Sequence, residues 1–141
     1  MSLTKITVKI DIEASLEKVW ECFTEPEHIM AWNNASPDWH TPRAENDLRV
    51  GGTFNYRMEA KDGSAGFDFG GTYDEVAPYA RIAYTIGDGR KVSVVFAAEG
   101  GKTRIVETFE AETVNPIELQ KNGWQSILDN LKTYVESGAK H

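Results

Sequence analysis

The stretch NPIELQKNGWQSILDNLKTYVE, residues 115–136, decides the fold of this chain. Its apolar side chains recur every three or four residues, which predicts a long helix that buries one face. They are Leu119, Trp124, Ile127, Leu128, Leu131, Tyr134 and Val135. Asn115 is the expected N-cap, Pro116 suits the first helical position and Glu118 has capping-box spacing, while Gly138 can end the helix. Such a helix needs an apolar surface against which to pack.

The residues before this helix predict that surface. Five strands are expected, over residues 53–61, 66–76, 81–86, 91–99 and 102–112. The pairs Asp62-Gly63, Asp88-Gly89 and Gly100-Gly101 separate successive strands, and such pairs favour hairpins because their residues tolerate positive φ. Hairpins with no helix between them indicate an antiparallel meander.

The N-terminal third adds one strand and two short helices. Ile6, Val8, Ile10 and Ile12 alternate with polar residues, which is typical of a half-buried strand. Ser15 is the expected N-cap of a helix over residues 15–24. A second short helix follows over residues 27–32, and an irregular stretch over residues 33–46. The predicted fold class is α+β, with a curved antiparallel sheet of about six strands around the C-terminal helix.

Only the C-terminal helix is long enough to cover the inner face of such a sheet. Strand parity and the helical stripe predict which side chains meet in this space. They are Phe54, Tyr56, Met58, Phe67, Phe69, Tyr73 and Tyr84 from the strands, with Trp124 and Leu128 from the helix. Buried tyrosine hydroxyls need partners, and Gly123 removes volume in the middle of the helix, so a cavity is favoured over a solid aromatic core. Close helix–sheet packing at Gly123, and a strand bend at Gly70 and Gly71, remain the alternatives.

Polar candidates fall into two groups. Residues 32–40 read WNNASPDWH, in which Trp32 and Trp39 can form apolar walls and Asn34 and His40 can orient a polar end of a ligand. His40 also suits proton transfer near neutral pH. The alternative is a structured loop with a surface histidine.

Glu107 is the second polar candidate, as a ligand anchor or a general acid or base. It shares strand parity with Ile105 and Phe109, so it enters the cavity if those residues point inward. A buried carboxyl tends to have a raised pKa or a paired cation. The alternative places Val106 inward and leaves Glu107 in solvent. Arg57 is a further possible anchor, although its parity favours solvent.

Composition excludes several classes of function. The 15 basic and 22 acidic residues give a formal charge of −7, which disfavours nucleic acid and anionic membrane surfaces as partners. Cys22 is the single cysteine, and the three histidines are scattered, so neither a disulfide nor a metal site is expected. No phosphate-binding or nucleophile-elbow motif is present, and no cofactor is expected. With no signal peptide or spanning segment in the sequence, a cytoplasmic location is expected.

The order of several segments resembles a known family. The segments are ASLEKVWECFTEPEHIMAW, DLRVGGTFNYRMEAKDGS, GGTYDEVAPYARIAYT, KTRIVETFEAE and GWQSILDNLKTYVE. Together they resemble homologues of the C-terminal domain of the activator of heat-shock-protein-90 ATPase, within the START-like (SRPBCC, polyketide cyclase-related) superfamily. WNNASPDWHTPRAENDLRVGG and EAKDGSAGFDFGGTYDEV further resemble a bacterial branch whose members mostly lack an assigned reaction.

This resemblance implies a helix-grip fold over residues 1–141, as one domain with a ligand cavity. The leading functional prediction is binding of a small hydrophobic or aromatic molecule. A cyclase/aromatase- or hydrolase-like enzyme with His40 or Glu107 as acid or base is the alternative. Chaperone contact by a stress-related accessory protein is a third, disfavoured because the eukaryotic activator uses a further N-terminal domain for much of that contact.

Overall fold

The described part of the chain, residues 4–34 and 36–137 of a computed structural model, contains seven strands and three helices. The strands are β1 (Lys5–Ile12), β2 (Trp39–Asn46), β3 (Thr53–Ala60), β4 (Gly66–Ala77), β5 (Arg81–Ile86), β6 (Lys91–Glu99) and β7 (Lys102–Glu110). The helices are α1 (Leu16–Thr24), α2 (Pro26–Trp32) and α3 (Ile117–Glu136). The predicted helix stop at Gly138 lies outside the described residues.

All seven strands form one antiparallel sheet in the order β1-β7-β6-β5-β4-β3-β2. Strands β2 to β7 follow one another as hairpins, and β1 joins at the far side beside β7. The register shifts between His40 and Arg43 and again between Tyr73 and Glu75. Such irregularities increase local twist and bend, which curls the sheet around its inner face.

The prediction of an irregular stretch over residues 33–46 was wrong for its second half. Residues 39–46 form β2, an edge strand that pairs with β3. Its sequence WHTPRAEN has no clean alternation, and Pro42 lies where the register shifts. Proline is tolerated in edge strands and at bulges, so the strand forms without the usual sequence pattern.

The short helices form as their caps predict. Ser15 Oγ accepts a hydrogen bond from the Lys18 amide at 3.2 Å, which begins α1, and Pro26 begins α2. The Trp32 indole donates to the Cys22 carbonyl at 2.8 Å and ties the two helices together. They close one end of the curled sheet, as α2 packs on β2 and α1 packs near β6 and β7.

The start of α3 differs from the predicted capping box. The helix begins at Ile117, with Pro116 in the N-cap position and no side-chain cap. The Asn115 side chain instead donates to Glu112 at 2.9 Å, so it is not free to cap. Leu119 was expected on the buried stripe but is 58% exposed.

The C-terminal two thirds of α3 are tied to β1 and to the loop after α2. Gln125 and Lys132 donate to the backbone carbonyls of β1 residues Lys9 and Asp11 at 2.8 and 2.7 Å. Asn130 donates to the Asn34 carbonyl at 2.5 Å. The helix therefore lies along one edge of the sheet and leans over the rest, which is the helix-grip arrangement. None of the three described helices is long and apolar enough to cross a membrane.

Candidate ligand cavity

A cavity of about 420 Å³ lies between the concave face of the sheet and α3. Its volume is within the range of small-molecule sites in proteins. Nine of the side chains that line it are aromatic: Phe23, Trp32, Phe54, Tyr56, Phe67, Phe69, Tyr73, Tyr84 and Trp124. The aliphatic and polar lining consists of Met58, Ile82, Leu119, Ile127, Leu128, Thr24, Asn33, Arg90, Glu107, Asn115 and Gln120, with Gly123.

The aromatic walls are held by contacts with one another. Phe54 lies edge-on to Tyr84, with ring centroids 4.9 Å apart. Trp124 stacks on the fully buried Phe109 at 3.9 Å and presents its edge to Phe69. Because these rings pack against one another and against the buried core, the walls are largely preformed.

Gly123 keeps part of this space open. It lies within α3, lines the cavity, and a Cβ added there would have no atom within 4 Å. Close helix–sheet packing, the alternative explanation for this glycine, is therefore excluded. Gly70 and Gly71 differ, since a Cβ at either would collide with the backbone carbonyl of a neighbouring strand. Those two glycines allow close strand approach at the bend.

The cavity opens between the start of β4 and the start of α3. We call Phe67, Asn115 and Leu119 the mouth, because they line the cavity and are exposed on the surface. Phe67 and Leu119 are 47% and 58% exposed, which is high for large apolar side chains. An apolar rim lets an apolar molecule remain in contact with protein as it leaves water.

Glu107 lies inside the cavity and is 6% exposed. On β7 it alternates with solvent-facing residues and shares its face with Ile105 and Phe109. Within residues 4–34 and 36–137, no donor forms a hydrogen bond to its carboxyl group and no cation pairs with it. Burial raises the pKa of Glu107 to about 8, with no charged group among the causes. At neutral pH the side chain is therefore mostly the uncharged acid, which can donate a hydrogen bond.

Three tyrosines bring further hydroxyl groups to the cavity. Tyr73 donates to Asn46 Oδ1 at 2.5 Å, and Asn46 in turn donates to the Thr24 carbonyl at 2.7 Å. Burial raises the pKa of Tyr73 to about 12 and raises the pKa of Tyr56 and Tyr84 well above the usual value. All three are neutral hydrogen-bonding groups over the physiological range.

Gln120 and Arg90 are polar lining residues that sequence reasoning missed. The Gln120 side chain accepts from the Glu112 amide at 2.9 Å and donates to the Asn115 carbonyl at 2.8 Å, which fixes the loop before α3. Arg90 donates to Asp88 at 2.8 Å and to the Glu110 carbonyl at 3.2 Å. No repeating pattern in the sequence marks either, because Gln120 is placed by the loop before α3 and Arg90 by a turn and by β7.

Most of the site residues named from the sequence lie together in the lining. They are Trp32, Phe54, Tyr56, Met58, Phe67, Phe69, Tyr73, Tyr84, Glu107, Trp124 and Leu128. Asn34, Trp39 and His40 do not line the cavity. The Asn34 amide donates to the Ser36 carbonyl at 2.8 Å, and Trp39 packs behind Phe67 at 5.8 Å between ring centroids.

Arg57 lies on the outer face of the sheet, as its parity indicated. It donates to Glu59 at 2.9 Å and lies 3.7 Å from Asp68, so it does not anchor a ligand in the cavity. His40 is the second residue of the edge strand β2, opposite Glu59 and outside the lining. Within the described ranges, no cluster of His, Cys, Asp and Glu could hold a metal ion.

A curled antiparallel sheet that holds a long C-terminal helix over an apolar cavity defines a helix-grip protein of the α+β class. Residues 13–136 match the model of the family described as Activator of Hsp90 ATPase homolog 1-like protein. The chain belongs to that family, which confirms the resemblance drawn from the sequence segments. No protein of curated function matches the chain.

Solved structures show the same arrangement. The AHSA1-like protein from Aeromonas hydrophila is 48% identical, with a TM-score of 0.90 over 98% of each chain. A protein from Cytophaga hutchinsonii is 55% identical, with a TM-score of 0.82 over 97% of this chain and 96% of that chain. A protein from Nitrosomonas europaea is 20% identical with a TM-score of 0.80 over 94% of each chain, which shows the fold alone.

Proposed function

We propose that this protein binds a small, largely apolar or aromatic molecule in the cavity between the sheet and α3. The observation that carries the proposal is a cavity of about 420 Å³ with nine aromatic side chains around the Glu107 carboxyl group, which has no partner among the described residues. Apolar walls with few convergent polar groups are the usual composition of small-molecule sites. Membership of a helix-grip family supports the same conclusion, and the cytoplasm is the proposed location.

The test fills the cavity from Gly123. Gly123→Leu projects a side chain into open space, and it also replaces the poorest non-proline helix former in the middle of α3. We expect the variant to fold at least as stably as the wild type but to lose most of its affinity for the uncharged fluorophore N-phenylnaphthylamine. Binding is read from the rise in fluorescence as the probe leaves water.

Lys121→Leu is the matched control, because it adds the same side chain to an exposed position of α3 that does not line the cavity. This control should bind the probe as the wild type does. Equal binding by wild type and Gly123→Leu, or no binding by the wild type, would contradict the proposal.

Proton-transfer catalysis in the same cavity is the second candidate function, and Glu107 is the observation that favours it. An acid with a pKa of about 8 is suited to general acid or base work near neutral pH. The cavity lining holds no second carboxyl group and no histidine among the described residues. Binding without turnover is therefore the better-supported function. Recovery of an altered molecule after incubation, abolished by Glu107→Gln, would favour the enzyme instead.

Contact with a chaperone stays a prediction. No feature on the described surface identifies such a partner, and the exposed apolar side chains at the mouth are explained by ligand access.

A further inference from the structure

We infer that the molecule bound in this cavity is uncharged and presents a carbonyl oxygen to the Glu107 side chain. The inference rests on the proposed function and adds the chemical class of the ligand. It follows from the apolar side chains around Glu107 and from the lack of a described hydrogen-bond donor or cation at its carboxyl group.

Apolar side chains enclose Glu107 on the sheet. Its cross-strand partners are Val8 on β1 and Val94 on β6, both essentially without exposure. Ile105 and Phe109 flank it on β7 and are equally buried. A polar side chain in such surroundings costs free energy unless a partner satisfies it. The partner is missing from the described protein, so the open space beside the carboxyl group is where a ligand atom would supply it.

The titratable and charged groups that face this position are few. Strand β5 contributes the Tyr84 hydroxyl, whose pKa is raised by burial and, to a smaller extent, by the charge of Glu107. The helix α3 presents Trp124 and Leu128, which carry no charge. Arg90 lines the cavity from the turn between β5 and β6, but its guanidinium group is bonded to Asp88 and to a backbone carbonyl, and it does not affect the pKa of Glu107.

These neighbours favour a neutral ligand over either ion. A ligand carboxylate would enter an apolar space beside an acidic group, with no cation close to Glu107 to offset its desolvation. An ammonium ligand would require both its own desolvation and ionisation of Glu107, a group that burial keeps protonated. A carbonyl oxygen requires neither the desolvation of a ligand charge nor the ionisation of Glu107. It accepts the Glu107 O–H and brings no charge into the cavity.

A matched set of naphthalene probes tests the ligand class. Naphthalene, its methyl ketone, its carboxylate and its aminomethyl derivative compete against N-phenylnaphthylamine for the wild-type protein at about pH 6.5. We expect the ketone to bind about five- to tenfold more tightly than naphthalene, as for one added hydrogen bond. The two ionic probes should bind more weakly than naphthalene. The advantage of the ketone should disappear by about pH 9.5, where Glu107 has lost its proton.

Two substitutions test whether Glu107 is the donor. Glu107→Gln retains an N–H donor that does not titrate, so it should keep the preference for the ketone at both pH values. Glu107→Leu has no donor at this position and should bind naphthalene and its ketone alike.

A ketone advantage that survives in Glu107→Leu, or an aminomethyl probe that binds best and more tightly as the pH rises, would overturn the inference. If naphthalene binds well without any gain from the ketone, the ligand class fails while the proposed function stands; if no probe binds, both fail.

Discussion

Glu107 is a carboxyl group at a position where the surrounding Val8, Val94, Ile105 and Phe109 would pack against an apolar side chain. Burial raises its pKa to about 8 in the folded protein, from 4.5 for a glutamate in water. Below pH 4.5 the group is protonated whether the chain is folded or not. Between these two values the unfolded chain releases the proton and the folded chain retains it, so stability falls as the pH rises.

Glu107→Gln should therefore stabilise the protein, and more so at pH 8 than at pH 5. The gain at pH 8 is on the order of 4 kcal/mol, from about 1.4 kcal/mol per unit of pKa shift. Urea unfolding of both proteins at the two pH values measures it. Glu45→Gln, which removes an exposed carboxylate on β2, should leave the pH dependence unchanged. A difference between Glu107→Gln and wild type that stays constant with pH would show that Glu107 is ionised when folded.

Strand parity alone could not place Glu107. Residues 105–109 read IVETF, in which both alternating sets contain apolar members. The choice depends on the partner strands, since Val8 and Val94 are buried opposite Glu107. Asn34 and His40 were still harder to place from the sequence, because their positions follow from a loop and an edge strand rather than from a repeating pattern.

At the scale of single elements, glycine occurs in β4 and in α3 for opposite structural reasons. Gly123 faces open space within a helix, where glycine costs about 1 kcal/mol relative to alanine. Gly71 lies where a Cβ would collide with the Thr85 backbone carbonyl. The sequence suggested a cavity at Gly123 and a possible strand bend at Gly70 and Gly71, and the atoms near each glycine distinguish the two cases.

Gly123→Ala should raise the free energy of unfolding by about 0.5–1 kcal/mol, while Gly71→Ala should lower it by about 1–3 kcal/mol. Thermal or chemical unfolding of the two variants measures both changes. Both variants replace glycine by alanine, so the loss of conformational entropy in the unfolded chain changes the free energy of unfolding equally in the two. A loss of stability in Gly123→Ala would mean that the space beside α3 is closed in solution.

The elements that the sequence predicted well are those with local signals. The hairpins β3–β4, β5–β6 and β6–β7 follow from alternation and from Asp-Gly or Gly-Gly turns whose second residue has positive φ. Strand β2 was missed because Pro42 and the register shift break its pattern. The cap of α3 was mispredicted because Asn115 bonds to Glu112 instead. Both errors arose from features that leave no repeating pattern in the sequence.

At the scale of the whole molecule, α3 is held unevenly. Its later turns bond to β1 through Gln125 and Lys132, and Tyr134 lies within 2.6 Å of the buried His28 on α2. Among the described residues, the side-chain hydrogen bonds that hold its first turns come from Gln120 to the loop before the helix, and these turns form one side of the mouth. A molecule that enters the cavity passes the end of the helix that is held least.

The first turns of α3, residues 117–123, should therefore exchange their amide hydrogens about tenfold faster than residues 125–136, since local opening needs fewer contacts broken. Hydrogen exchange read by mass spectrometry measures this, and saturating N-phenylnaphthylamine should slow exchange in residues 117–123 more than in β1.

Gln120→Ala removes the side-chain hydrogen bonds to the loop before α3 and should speed exchange in the first turns, while leaving residues 125–136 as in the wild type. Uniform exchange along α3, or protection by the probe that is equal in β1 and in the first turns, would mean that ligand reaches the cavity by another route. The fold and the site are thus linked, because the helix that covers the cavity has its hydrogen bonds to β1 in the later turns and not at the end where the mouth lies.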